Sequence, residues 1–144
     1  MSFMDAIGIA ASGLTAERTR MDVTSENLAN ADTTQGANGQ PYQRQEVVLQ
    51  QIGGFNAALS GAMGNSGAPG GVEVTGIVND PTPDQQEYDP GNPAANAQGY
   101  VTMPNVNPVT EMVDLIDESR SYQTDVTAMN TAKTMYEKTL DLLK

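Results

Sequence analysis

The 144-residue chain contains no cysteine, no histidine and no tryptophan, and only two phenylalanines. Without cysteine there are no disulfides, no thiolate nucleophile and no cysteine-based zinc site. Without histidine the commonest general base is missing. With seven basic residues against 18 acidic ones, the formal net charge is −11. A chain of that sign is repelled by nucleic acid and by anionic membranes. No apolar run reaches the roughly 18 residues that a membrane-spanning helix needs. The first residues lack a basic stretch leading into an apolar one, so no cleaved secretory signal is expected.

Proline and glycine are missing from particular places. All eight prolines fall between Pro41 and Pro108, and twelve of the fourteen glycines between Gly36 and Gly99. The ends are therefore free to be helical, and the middle is not. This divides the chain into a helical head (1–34), an irregular β and loop middle (35–107) and a helical tail (108–144). Their net charges are −3, −5 and −3.

In the head, Ile7, Leu14, Met21 and Leu28 recur every seven residues, with Phe3 and Ala10 widening the row. That is a heptad seam, interrupted at Glu17 and Thr24. Ser2 and Asp5 read as a cap and an acidic first turn. Gly8 and Gly13 each weaken a helix by roughly 1 kcal/mol relative to alanine. They also let a neighbouring backbone approach.

In the tail, Asn107 before Pro108 is a helix start. Leu115, Tyr122, Met129, Tyr136 and Leu143 follow at intervals of seven, with Met112, Val126 and Leu140 in a companion row. A helix from Pro108 to Lys144 is about 55 Å long at about 1.5 Å per residue. That suits a coiled coil better than a compact domain. The fold class expected is mainly α, with the two long terminal helices paired as a coiled coil. Between them lies a β-hairpin-containing segment with a flexible loop.

The middle carries two alternating stretches, Tyr42 to Leu49 and Gly71 to Val78, that read as strands of a hairpin. A second short pair is expected around Gly99 to Met103. The glycine-rich stretch from Gly53 to Gly71 lacks the Gly-Lys-Ser/Thr ending of a phosphate-binding loop. Asp80 to Asp89 holds four acids, but its spacing is not that of a calcium loop. Asp114, Asp117 and Glu118 lie on a helix face rather than in a cleft, so paired-carboxylate catalysis is not supported. No cofactor, metal or catalytic residue is expected. Outside the resemblance that follows, a soluble coiled-coil adaptor and a cell-wall hydrolase are the alternatives, and nothing in the spacing favours the second.

The stretch SENLANADTT, Ser25 to Thr34, ends the head on Asn27 and Asn30. Asparagine tolerates the left-handed backbone that closes helices. Asn30 is therefore expected near the helix end, with Asn27 bonding backbone or reaching to a neighbour.

Residues 11–34, ASGLTAERTRMDVTSENLANADTT, resemble the N-terminal signature of flagellar axial proteins of the rod and hook family. Residues 89–135 resemble the C-terminal portion of its proximal rod members, through DP-x-x-P-x-A-N, GYV-x-x-PNVN, EM-x-D and R-x-YQ in order. The resemblance implies a subunit exported by the flagellar type III apparatus and polymerised into the periplasm-crossing rod that transmits torque. It implies an inner layer of paired terminal helices and an outer β region. Implied partners are further copies and the rod components FlgB, FlgF, FliE and the distal rod protein FlgG. The assembly interface expected comprises Phe3, Ile7, Leu14, Met21, Asn27, Leu28 and Asn30 of the head. In the tail it comprises Met112, Leu115, Tyr122, Val126, Met129, Tyr136, Leu140 and Leu143.

Overall fold

A computed structural model describes residues 3–36, 38–53 and 70–141, with the side chains of Phe3 and Met4 left aside. The elements are α1 (Phe3–Ala29), β1 (Gln45–Gln51), β2 (Val72–Asn79), β3 (Gln85–Tyr88), β4 (Tyr100–Met103) and α2 (Pro108–Asp141). The helix–middle–helix order follows the proline and glycine distribution. The head helix stops at Ala29 rather than at residue 34, and residues 30–34 turn the chain towards the middle. Most of the glycine-rich stretch lies outside the described residues.

The α2 start is built as the sequence predicts. The Asn107 side-chain oxygen accepts from the Val109 amide at 3.0 Å and the Thr110 amide at 3.4 Å. These are donors that a helix N-terminus otherwise leaves orphaned.

The α1 end departs from the expectation. Among the described residues no non-glycine backbone has positive φ, so Asn30 is not left-handed. Its side-chain amide instead donates to the Glu26 carbonyl at 2.9 Å, and its oxygen accepts from the Thr33 hydroxyl at 3.3 Å. The side chain closes the helix, so the backbone need not.

β1 and β2 form one antiparallel pair, with a bulge between Val48 and Leu49. β3 and β4 form a second antiparallel pair. Its turn depends on Gly99, at φ 83°, where a Cβ would come within 2.9 Å of the Tyr88 ring. Only glycine fits such a position without strain. Tyr88 then meets Tyr100 edge to face at 5.3 Å.

The helices run antiparallel. Gly13 of α1 lies against Asp125 of α2, Thr24 bonds Glu118, and Asn27 bonds Glu111. A Cβ on Gly13 would sit 2.8 Å from the Asp125 carboxylate, so glycine is what permits that approach. Ser12 ties α1 to the first sheet by accepting from the Val72 amide at 3.1 Å.

The buried centre is small and half polar. Its apolar members are Ala16, Val23, Ala31, Val101, Pro104 and Val106. Its polar members are Thr24, Asn27, Asn105, Glu111 and Glu118. No leucine, isoleucine, methionine or aromatic residue is buried among the described residues. The thin supply of large apolar side chains thus shows directly in the fold. Glu111 and Glu118, seven apart, are the deepest residues of α2. Pairing of the helices is established by these contacts. Knobs-into-holes packing along the apolar heptads is not.

Candidate assembly interface

The sequence-predicted apolar positions divide by exposure. Ile7, Leu14, Met21 and Leu28 on α1 are half-buried, as are Leu115, Tyr122, Val126 and Met129 on α2. Met112, Tyr136 and Leu140 are exposed. Phe3 and Leu143, both expected in the interface, have side chains outside the described residues. The structure also uncovers an apolar stripe in which Met112 of the heptad rows is joined by Val109, Val113 and Ile116, which those rows do not contain. Val109, Met112, Val113 and Ile116 are all about half exposed or more, at intervals of three and four. That spacing places them on one face of the helix. A second uncovered stretch, Met135, Tyr136 and Leu140, lies near the end of α2. Between α1, α2 and the first sheet runs an apolar trough of about 490 Å³, floored by small residues such as Ala10, Gly13 and Ala128.

Beneath these surfaces lies a polar hub that the apolar periodicity could not reveal. Asn27, 1% exposed, is bonded at both ends of its amide. Its Nδ2 donates to the Gln45 carbonyl at 2.9 Å and to Glu111 at 3.0 Å. Its Oδ1 accepts from the Tyr42 hydroxyl and the Gln45 amide, each at 2.9 Å. Both donor and both acceptor capacities of the side chain are thus used. One amide joins α1, the segment before β1, β1 itself and α2.

Arg44 extends the hub. Its Nε donates to Glu111 at 2.6 Å, and its terminal nitrogens reach Glu46, Asp80 at 3.3 Å and Asp114 at 3.8 Å. Burial would lower the guanidinium pKa, but the bonds to Glu111 and Glu46 outweigh it and hold the charge firmly. Arg44 is the sole base of residues 35–107. It lets Glu111 be buried as a carboxylate, which unpaired would be costly. Asn105 closes the hub from the other side. It accepts from the Arg44 amide at 2.7 Å and donates to the Asp80 and Thr82 carbonyls. Asp80 has its pKa lowered, chiefly by the Thr82 hydroxyl and amide. Tyr42 has its pKa raised by burial and by the nearby charges of Glu26 and Glu111.

Of the residues predicted for the interface, Asn27 therefore belongs to the interior joint, and Asn30 to the helix end. Arg44, Glu111 and Glu118 were missed as partners. Two signals bore on them: a lone base in an acidic segment, and glutamates at heptad spacing within a helix. Among the described residues there is no acidic cluster able to hold a metal ion, and no helix is long and apolar enough to cross a membrane.

Comparisons with known proteins agree over the whole chain. Residues 7–38 match a family described as flagella basal body rod protein. Residues 97–142 match one described as flagellar basal body rod FlgEFG protein C-terminal. The chain is 47% identical over 150 residues to the flagellar basal-body rod protein FlgC of Bacillus subtilis, covering 100% of both. It is 47% identical over 142 residues to that of Escherichia coli O6:H1, covering 99% of this chain and 98% of the relative. The Borreliella burgdorferi protein of the same name is 37% identical over 151 residues, covering 100% and 99%.

Proposed function

Since the chain belongs to the flagellar basal-body rod protein family, as a structural protein and not an enzyme, we propose that it is a subunit of the proximal rod. In this reading it is delivered by the flagellar type III export apparatus. It polymerises through its terminal helices, and the resulting shaft transmits torque. Neighbours are further copies and the rod components FlgB, FlgF, FlgG and FliE.

The observation that carries the proposal is the mismatch between a polar buried centre and an uncovered apolar exterior. Val109, Met112, Val113 and Ile116 face outward while Glu111 and Glu118 face inward. A self-sufficient fold places these the other way round, because apolar burial contributes roughly 25 cal/mol per Å². A polymerising subunit has reason to hold that surface in reserve. Stacking along a shaft requires heterologous contacts, which extend a filament instead of closing it. A joint made of directional hydrogen bonds and ion pairs also resists rotation of the β region against the helices. That is the property torque transmission needs, and it involves no chemical step.

The test is deletion of the gene from its own organism, followed by electron microscopy of isolated basal bodies. Absence of a rod, restored by the intact gene, is the expected result. Complete rods and swimming cells in the deletion strain would refute the proposal.

A further inference from the structure

Asn38 is the one asparagine of the sequence that precedes a glycine. It lies between α1 and β1, in a turn closed by two backbone bonds. The Gly36 amide donates to the Gln40 carbonyl at 2.7 Å, and the Gly39 amide to the Gly36 carbonyl at 2.9 Å. Asn38, Gly39 and Gln40 are all exposed. Gly39 has φ 71°, and a Cβ built there would meet nothing within 4 Å. The backbone just beyond Asn38 is therefore bare and open to water.

The other described asparagines are placed differently. Asn27, Asn30, Asn105 and Asn107 serve the hub and the helix ends through their side chains. Asn79 donates to the Gln43 side chain at 3.3 Å, and the side-chain oxygens of Asn92 and Asn96 accept backbone amides. Asn130 is fixed within α2. Asn38 alone among them joins an exposed side chain, bonded by no other described residue, to a following glycine.

We propose that Asn38 is a site of spontaneous deamidation, which gives the chain a new carboxylate with age. The deprotonated Gly39 nitrogen attacks the Asn38 Cγ and bonds to it. The bond from Cγ to the side-chain nitrogen breaks, and that nitrogen leaves as ammonia with the proton Gly39 gave up. Water then opens the resulting succinimide. Opening at Cγ leaves aspartate at position 38, and opening at the main-chain carbonyl leaves isoaspartate. Water is the only co-reactant. Glycine obstructs the attack least, having no Cβ. The Gly39 amide must first leave the Gly36 carbonyl, and an exposed turn of this kind opens at low cost.

Either product adds a negative charge to a cavity of about 440 Å³ that Asn38 and Asp84 both line. Isoaspartate also lengthens the main chain by one methylene inside the turn. The Tyr42 amide, bonded to the Thr33 carbonyl at 3.1 Å, closes the loop outside that turn and separates the change from the hub. The site lies apart from the apolar surfaces of α2 and does not depend on the assembly reading.

The test incubates the purified full-length chain at mildly alkaline and mildly acidic pH and follows each asparagine by peptide mass spectrometry. Loss of the Asn38 amide should be at least about tenfold faster than loss at any other described asparagine, a barrier lower by about 1.4 kcal/mol. It should be faster at the alkaline pH, because the attacking nitrogen must be deprotonated. The aged chain should accept methyl groups from S-adenosylmethionine when a purified isoaspartyl carboxyl methyltransferase is added. Asn38→Ser, at an exposed position, should keep the circular dichroism spectrum and lose most of that methyl acceptance. An Asn38 amide that survives the alkaline incubation, or is lost no faster than the others, would overturn the proposal. Equal rates at the two pH values, or undiminished methyl acceptance in Asn38→Ser, would do so as well.

Discussion

Asn27 on α1 and Gln45 on β1 exchange two hydrogen bonds of 2.9 Å, the side-chain amide of one meeting both backbone groups of the other. A helix residue thereby takes the place of a neighbouring strand. The handover from the head to the β region is fixed at that point.

Replacing Asn27 by alanine should destabilise the isolated chain by about 2–4 kcal/mol, since it strands the Tyr42 hydroxyl, the Gln45 amide and Glu111 together. Asn27→Asp keeps the acceptor but sets a second carboxylate against Glu111, and should cost at least as much. Urea unfolding followed by far-ultraviolet circular dichroism measures both. A midpoint unchanged in either variant contradicts the hub.

Arg44→Ala should cost about 3–5 kcal/mol, because Glu111 would remain buried with its principal counter-charge gone. Arg44→Lys should recover only part of this. A compact ammonium does not reproduce a planar fork that serves Glu111, Asp80 and Asp114 at once. Full recovery by lysine would show that charge alone matters there. The same unfolding experiment decides.

Glu118 gives the free chain a pH dependence of known sign. Its pKa is raised by burial, which outweighs the opposing Thr24 bond and Arg20 charge, and nearby Glu17 and Asp114 add to the rise. A folded pKa above the unfolded one means that the folded state binds its proton more tightly. The contribution is complete below the ordinary glutamate range. It is lost as pH rises through the folded value. Glu118→Gln should therefore make the isolated chain more stable near neutrality and leave it little changed in acid. Unfolding midpoints between about pH 4 and pH 7 test the sign. A variant less stable at neutrality would reverse it.

Leu140→Asp separates folding from assembly. Leu140 is 45% exposed, so the change should alter the stability of the isolated chain by less than about 0.5 kcal/mol. It should nevertheless stop rod formation, because the uncovered stretch of α2 is then charged. Leu14→Asp, at a half-buried position, should damage both. Swimming cells carrying Leu140→Asp would remove this stretch from the interface.

The helices, the β1–β2 pair and the Asn107 cap were all legible in the sequence, because each rests on local signals. Proline and glycine placement marked the boundaries, and alternation marked the strands to within a few residues. The polar interior was not. Heptad counting put Leu115, Tyr122 and Met129 at the seam, and they are half-buried there. Glu111 and Glu118, four residues before Leu115 and three after it, lie on the same face and are buried more deeply. A periodic apolar row states which face turns inward, but not which polar residues lie deepest on it. That was decided by Arg44, Asn27 and Thr24, distant in sequence, whose polar groups allow carboxylates to be buried. The quoted motifs SENLAN, PNVN and EM-x-D contain Asn27, Asn105, Glu111 and Asp114. They held the hub without showing that its members meet.

The antiparallel pairing has a consequence in time. Thr24 finds its partner 94 residues later in the chain, and Asn27 finds Glu111 84 residues later. Loop-closure entropy must be overcome before such distant contacts return anything, so they form late. A chain emerging N-terminus first has no partner for α1 until α2 has emerged in turn. The molecule is in effect postponed: its last segment to arrive completes the burial of its first.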